Sequence, residues 1–194
     1  KLAGALKMYV FEGCELFLNH ECIDAIHDEL FIPVENSDYL LTEFDVRKEL
    51  GSSSEVEDYL YEIEIKGYTP IIAHVERYFK EEIDIDRIRD LVESGYIIQV
   101  NASSLLGIHG KVVQKNAYTL LDEGLVHLIA SDTHRANGRR KPNLMDVYNL
   151  LQKRYDDNTL ELLLSENPKH ILKNEPVENI KPKRSLLKKL WKRR

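Results

Sequence analysis

Acidic and imidazole side chains recur in this sequence where apolar segments end. Residues 126–130 are apolar except for His127, and Asp132 and His134 follow almost at once. Because residues two apart on a strand point to the same side, we expect these two side chains to project together from the C-terminal end of a strand. Carboxylate oxygen and imidazole nitrogen are common ligands of divalent metals. A strand that simply runs into a polar loop would look similar, so the pair needs further ligands nearby to indicate a metal site.

Further polar residues follow four other apolar segments, and the intervals between them are regular. The positions are 15, 43, 74, 101 and 132, at steps of 28, 31, 27 and 31 residues. Side chains from five such positions can converge at one edge of a sheet if the strands run in parallel. Oxygen and nitrogen donors without a thiolate suit at least two hard or borderline divalent ions. The predicted metal ligands are Glu15, Glu43, His74, Asp132 and His134.

Two arginines lie close behind the predicted histidine ligands. Arg77 follows His74 by three positions, and Arg139 follows His134 by five. A guanidinium can bind a phosphate through two parallel hydrogen bonds. Arg77 and Arg139 beside a metal site therefore indicate a phosphate ester substrate, although each could also form an ordinary surface ion pair. Asn101 and Ser103, after the fourth apolar segment, are expected to hydrogen-bond around the same site.

Steps of about 30 residues have the length of one strand and one helix with their loops. Apolar strands that alternate with amphipathic helices pair in parallel. We expect strands ending near residue 15 and over 39–44, 70–77, 96–101 and 126–131. The expected helices span 20–30, 55–66, 87–92, 112–123, 142–155, 159–164 and 168–172, the second with a capping box at 52–55.

This alternation predicts an α/β fold of the (β/α) barrel type, in which functional groups gather at the C-terminal ends of the strands. An open Rossmann-like sheet is the competing fold, but it would require a glycine-rich phosphate loop that the chain lacks. A complete barrel needs roughly eight units and about 250 residues. We therefore expect about two strands to precede Lys1 in the native protein.

Composition and charge limit the function classes. The 194 residues suit one soluble domain, and two cysteines indicate no disulfide framework, which favours the cytoplasm. Neither cysteine is followed by arginine at the Cys-x5-Arg spacing, which argues against a cysteine-nucleophile phosphatase. Residues 181–194 hold eight basic residues and no acid, which leaves 19 basic against 33 acidic residues elsewhere. We expect no binding of nucleic acid by so acidic a body.

Residues 176–194 are predicted to form a basic amphipathic tail beyond a catalytic domain of residues 1–175. Leu186, Leu187, Leu190 and Trp191 would lie on one side of a helix, between basic groups. This pattern is typical of segments that dock on an anionic membrane surface. A solvated tail is the alternative interpretation.

Five segments together resemble the PHP (polymerase and histidinol phosphatase) family. They are similar above all to its manganese-dependent protein-tyrosine phosphatases of capsule and exopolysaccharide clusters, the CpsB/YwqE type. The segments are Gly-Cys-Glu at 13–15, Leu-Thr-Glu-Phe at 41–44, Ile-Ala-His-Val-Glu-Arg-Tyr at 72–78, Gln-Val-Asn-Ala-Ser at 99–103 and Ile-Ala-Ser-Asp-Thr-His at 129–134. The resemblance covers residues 10 to 173.

The resemblance implies a distorted (β/α)7 barrel with a trinuclear metal centre, usually of manganese. It assigns Glu15 as a metal-bridging ligand, Glu43, His74, Asp132 and His134 as further ligands, and Arg77 and Arg139 as phosphate-binding arginines. It implies hydrolysis without a covalent phosphoenzyme, and as partner the phosphorylated tyrosine-rich tail of a bacterial tyrosine kinase. The family also begins with a His-x-His strand, then an aspartate and a second strand ending in histidine. None of these precedes Glu15 in this sequence.

Two other functions remain open at this point. One is hydrolysis of a small phosphate ester such as histidinol phosphate by a related barrel. The other is a non-catalytic, incomplete barrel that binds a partner through its basic tail.

Overall fold

A five-stranded parallel sheet forms the centre of the computed structural model, which describes residues 9–50, 55–138 and 141–183. The strands are ordered as in the sequence: β1 (Glu15–Phe17), β2 (Tyr39–Glu43), β3 (Thr69–Ile72), β4 (Ile97–Asn101) and β5 (Leu128–Ala130). Each strand pairs in parallel with the next. Among the described residues the sheet runs from β1 to β5 without pairing between these two edge strands. The predicted parallel α/β fold is confirmed.

Helices connect the strands, as the apolar periodicity predicts. They are α1 (Cys22–His27), α2 (Glu55–Glu64), α3 (Ile85–Glu93), α4 (Ala102–Leu105), α5 (Lys111–Glu123), α6 (Leu144–Leu151), α7 (Asp157–Glu161) and α8 (Asn167–Leu172). A 3-10 helix, Val75–Tyr78, follows β3, and a π-helical turn, Leu162–Glu166, separates α7 from α8. Asp84 caps α3 by accepting a hydrogen bond from the Arg87 amide. Gly124 ends α5 at a positive φ of 78°.

Several predicted boundaries are wrong. Strand β1 begins at Glu15 rather than ending there, and Tyr9 before it is 91% exposed. Strand β3 ends at Ile72 because His74 turns the backbone into the left-handed region, so the strand predicted over 70–77 is shorter. Helix α4 was not predicted, since its four residues are too few to show a period. The helix predicted over 142–155 spans only Leu144–Leu151. Three of the four residues of the predicted capping box, 52–54, lie outside the described residues.

Alternate residues of the strands serve two separate apolar cores. On one face Leu40, Ile72 and Ile98 pack against the helices in the larger core. On the other face, Tyr39, Ile71 and others form a smaller core with Ile171 of α8. Because side chains alternate along a strand, residue 43 continues the series of residues 39 and 41 on the second face. A cavity of about 430 Å³ lies on this face, bordered among others by Ile71 and Ile171.

The segment after α8 is fixed to the domain. Ile180 is buried, and the Lys183 amide donates a hydrogen bond to the Asp122 carbonyl at the end of α5. The Nε2 atom of buried His127 lies 2.7 Å from Asn179 Oδ1. Residues 176–183, the beginning of the predicted tail, therefore pack against the sheet and α5. The apolar tail residues between 186 and 191 lie outside the described residues.

Candidate metal centre

Three predicted ligands meet at one edge of the sheet: Glu15 begins β1, Glu43 ends β2, and His74 follows β3 by two residues. One potential ligand atom each from Glu15, Glu43 and His74 lies within 4.8 Å of the other two. Nε2 of His74 lies 3.3 Å from a carboxylate oxygen of Glu15 and 3.3 Å from one of Glu43. Parallel pairing brings them together, because it places Leu41 opposite Glu15 and Glu43 opposite Phe17 on neighbouring strands.

The imidazole of His74 is held rigidly although it does not lie on a strand. His74 is 3% exposed and adopts φ 36°, which turns the chain from β3 into the 3-10 helix. Its ring packs edge-on against Tyr78, with ring centroids 5.6 Å apart. The hydroxyl oxygen of Tyr78 accepts a hydrogen bond from the Phe44 amide and so ties this helix to the end of β2. A left-handed non-glycine residue is strained and is often found at functional sites.

The electrostatics of the three residues favour a bound cation. Burial raises the pKa of Glu43, and the neighbouring Glu15 carboxylate raises it further, while His74 and Arg77 act in the opposite direction. A cation between the two carboxylates would relieve this mutual repulsion. Two carboxylates and one imidazole are donors suited to a borderline divalent ion. The residues present therefore fit a metal.

The other two predicted ligands form a second pair beside this group. His134 Nδ1 lies 3.3 Å from Asp132 Oδ1, and Nη1 of Arg77 lies 3.9 Å from Asp132 Oδ2. The structural reason for their proximity differs from the prediction. Strand β5 ends at Ala130 and Asp132 has φ 47°, so a loop rather than strand alternation brings the two side chains together. His134 remains half exposed, whereas the Asp132 side chain is 11% exposed.

Asn101 connects the end of β4 to this pair. Its Nδ2 donates a hydrogen bond of 2.9 Å to Asp132 Oδ2, and its Oδ1 accepts one from Gln99. Asn101 is fully buried. Ser103 Oγ lies 2.9 Å from Nε2 of His109 in the following loop. The second predicted arginine, Arg139, lies outside the described residues.

Glu76 lies at the site but was not predicted as a site residue. It is fully buried, and its Oε1 accepts hydrogen bonds from the Asn101 amide at 3.2 Å and from the Ser104 hydroxyl. Burial raises its pKa. Its other oxygen, Oε2, has no hydrogen-bond partner among the described residues, and neither does Nδ1 of His74. In the sequence Glu76 resembles any surface acid, because only the tertiary fold covers it with α4.

A cavity of about 510 Å³ lies beyond the end of β2. Its lining includes Tyr78, whose ring packs against that of His74, but none of the three ligand candidates. Phe17 and Phe44 border it, and these residues are, respectively, the strand partner and the chain neighbour of Glu43. Tyr59 of α2 contributes another aromatic wall, and Arg47 and Lys48 also line the cavity. Arg47 is engaged with Asp45 through two hydrogen bonds.

A parallel α/β domain that gathers carboxylates, an imidazole and an arginine at one edge of its sheet has the arrangement of a metal-dependent hydrolase. The comparisons with known proteins define the class more closely. Residues 3–173 match the family model for capsular polysaccharide synthesis proteins CpsB/CapC. The chain belongs to this family.

Relatives in this family are named tyrosine-protein phosphatases. The chain is 28% identical to tyrosine-protein phosphatase CpsB of Streptococcus pneumoniae, over 85% of this chain and 68% of that protein. It is 27% identical to tyrosine-protein phosphatase YwqE of Bacillus subtilis, over 96% and 71%. A crystal structure from a study of YwqE and CpsB, described as unique metal-dependent tyrosine phosphatases, matches with a TM-score of 0.77 and 25% identity. That match covers 95% of this chain and 72% of the other chain.

Proposed function

We propose that this chain is the catalytic domain of a metal-dependent protein-tyrosine phosphatase that acts on a bacterial tyrosine kinase controlling capsule or exopolysaccharide synthesis. The observation that carries the proposal is the group of Glu15, Glu43 and His74, with Arg77 alongside, in a chain of the CpsB/CapC family. The three residues are proposed as ligands of a divalent ion, manganese by the family resemblance. Asp132 and His134 are proposed as further ligands.

The residues around the group have distinct proposed roles. A divalent ion held there supplies Lewis-acid activation of water and neutralises charge on the phosphoryl oxygens. Arg77 binds the phosphate, since its guanidinium lies 3.9 Å from Asp132 and opposes the raised pKa of Glu43 electrostatically. Arg139 is proposed as the second phosphate-binding arginine. Asn101 holds the Asp132 carboxylate in place through its side-chain amide.

The cavity beside the group favours a peptide over a small phosphate ester. Its aromatic walls, Phe17, Phe44 and Tyr59, provide an apolar surface for the ring of a phosphotyrosine or for a side chain next to it. Lys48 adds a positive charge at the same cavity. A small polar ester such as histidinol phosphate would leave most of this surface unfilled.

The remaining proposals concern the architecture around the catalytic residues. We propose that further strands complete a distorted (β/α)7 barrel of the PHP type. In support, β1 and β5 are both edges, and the apolar cavity on the face of Ile71 and Leu128 is open. Residues 1–175 would form the catalytic domain. Residues 176–194 would form a segment whose basic end docks on an anionic membrane next to the kinase, in the cytoplasm. None of the described helices is both long and apolar enough to cross a bilayer.

The proposed activity is tested with Mn²⁺ and two substrates. We expect hydrolysis of a phosphotyrosine peptide, loss of activity with a chelator, and a much lower kcat/KM for histidinol phosphate. Higher turnover of histidinol phosphate would favour the small-ester enzyme. No hydrolysis of either substrate with Mn²⁺ present would favour a binding protein without catalysis.

A further inference from the structure

Glu76 is a fully buried carboxyl group at the centre, and no ligand role is assigned to it. It lies on the 3-10 helix, two residues after His74 and one before Arg77. Removing a carboxyl group from water is costly unless its oxygens are hydrogen-bonded. A buried carboxyl at this position therefore needs either a structural or a functional explanation.

One oxygen of Glu76 has a structural role. Oε1 receives hydrogen bonds from the backbone amide of Asn101 and from the hydroxyl of Ser104, and thereby fixes the junction of β4 and α4. Asn101 in turn donates to Asp132 through its side chain. The Glu76 carboxyl thus helps to orient an amide that holds one of the proposed ligands.

The other oxygen has no such explanation within the described residues. Oε2 is buried without a hydrogen-bond partner, and so is Nδ1 of His74. One atom is an acceptor, and the other is a donor whenever Nε2 is the ligand nitrogen. The His74 imidazole is near enough to Glu76 to influence its carboxyl electrostatically. Histidines that bind metals commonly donate their second ring N–H to a carboxylate or water, which fixes the tautomer.

We propose that Glu76 is a positioning residue that supports the Nδ1–H of His74 through one buried water, bound between Nδ1 and Oε2, and so directs the Nε2 lone pair to the metal. The proposal rests on the proposed function, because it assigns a role within the same metal centre. Glu76 touches neither the metal nor the substrate. It acts on His74 through Oε2 and on the β4–α4 junction through Oε1.

Replacement Glu76→Gln separates these two roles. The Asn101 amide can only donate, so the glutamine must keep its carbonyl oxygen there and turn its NH₂ group to the position of Oε2. Ser104 can still donate to that carbonyl oxygen. The NH₂ group then donates to the bridging water, whereas Oε2 accepted a hydrogen bond from it. The tautomer with the proton on Nδ1 loses this support, while the hydrogen bonds of the fold are kept.

The experiment measures Mn²⁺ affinity of the full chain by electron paramagnetic resonance of free Mn²⁺, with thermal unfolding in chelator as the test of folding. We expect Glu76→Gln to weaken Mn²⁺ binding about 10- to 100-fold, the usual effect of losing such a partner, while the unfolding temperature in chelator does not fall. The matched control is Glu62→Gln, which alters a partly buried glutamate 2.9 Å from His27, away from the three-residue group, and should leave the affinity unchanged. Equal Mn²⁺ affinity of Glu76→Gln and the parent chain overturns the proposal.

A second variant covers the case in which Glu76→Gln does not fold. Ser104→Ala removes one hydrogen bond from Oε1 and loosens the carboxyl, so it should weaken Mn²⁺ binding several-fold; unchanged affinity would contradict the proposal. A parent chain that binds Mn²⁺ without hydrolysing phosphotyrosine would overturn the proposed function but leave the Glu76 test intact. A parent that hydrolyses phosphotyrosine while Glu76→Gln binds Mn²⁺ normally would overturn only the role of Glu76. If the parent does not bind Mn²⁺, the role of Glu76 is refuted together with the metal centre.

Discussion

Replacing Glu43 by glutamine should change the stability of the protein in opposite directions with and without metal. Potential ligand atoms of Glu15 and Glu43 lie within 4.8 Å of each other, and the two side chains are 31% and 30% exposed. Two unit charges at that distance repel by about 0.9 kcal/mol in water and by about 3.5 kcal/mol at an effective dielectric constant near 20. His74 offsets part of this repulsion. We therefore expect Glu43→Gln to raise the free energy of unfolding in chelator by ~1 kcal/mol.

With Mn²⁺ present, the parent chain should instead be more stable than Glu43→Gln. A ligand that binds only the folded state at 100 times its Kd stabilises it by about 2.7 kcal/mol. Glutamine has only a neutral carbonyl oxygen to offer a metal, so the variant should lose most of this stabilisation. The parent chain should then be the more stable protein in Mn²⁺ and the less stable one in chelator.

The assay is urea unfolding followed by circular dichroism, in chelator and in excess Mn²⁺, with exposed Glu81→Gln as the matched control. The pH dependence gives a further test. Because the pKa of Glu43 is raised in the folded protein, its negative charge destabilises the folded state above that pKa. The advantage of Glu43→Gln in chelator should therefore shrink as the pH falls through that raised pKa. The same order of stability in chelator and in Mn²⁺ would refute the view of Glu15, Glu43 and His74 as a metal group.

Three further predictions follow from other parts of the structure. Arg77→Lys keeps the charge but loses the planar fork, so we expect a KM for phosphotyrosine peptide raised at least about tenfold. Arg89→Lys on α3, outside the cavity, should change the KM little; equal effects would remove Arg77 from the phosphate site. Burial lowers the pKa of His127, so its contribution to stability is complete above about pH 6.5 and declines as the pH falls towards the lowered folded pKa. His127→Gln should remove this part of the acid dependence of urea unfolding, and an unchanged slope would contradict that. Gly124→Ala places a Cβ 2.8 Å from the backbone of the C-terminal segment at φ 78°, which should cost more than the ~1–2 kcal/mol of the backbone conformation alone. Gly95→Ala, with φ 93° and open space around it, is the control, and equal losses in thermal unfolding would refute the close packing.

The alternation of apolar and polar segments in the sequence by itself determined most of the fold. Parallel strands need long crossovers, and the regular spacing of Glu15, Glu43 and His74 is the spacing of such crossovers. The capping aspartate of α3 and the glycine that ends α5 could be predicted because their effects are local. Strand boundaries could not, because hydrogen bonds to neighbouring strands decide where a strand begins. The chain before Glu15 is apolar enough for a strand, but among the described residues it forms no ladder with another strand.

Residue types and their order in the sequence also determined which side chains could bind a metal and phosphate. Only the tertiary structure decided how these residues are grouped. It brings Glu15, Glu43 and His74 into one cluster, and it places Asp132 and His134 beside Arg77 through a left-handed turn that no periodicity indicates. It alone shows that Glu76 is buried, because the burial of that carboxyl depends on α4, which comes from a different part of the chain. Sequence pattern specifies the direction of side chains on one element, whereas the approach of separate elements is decided by the packing of the whole core.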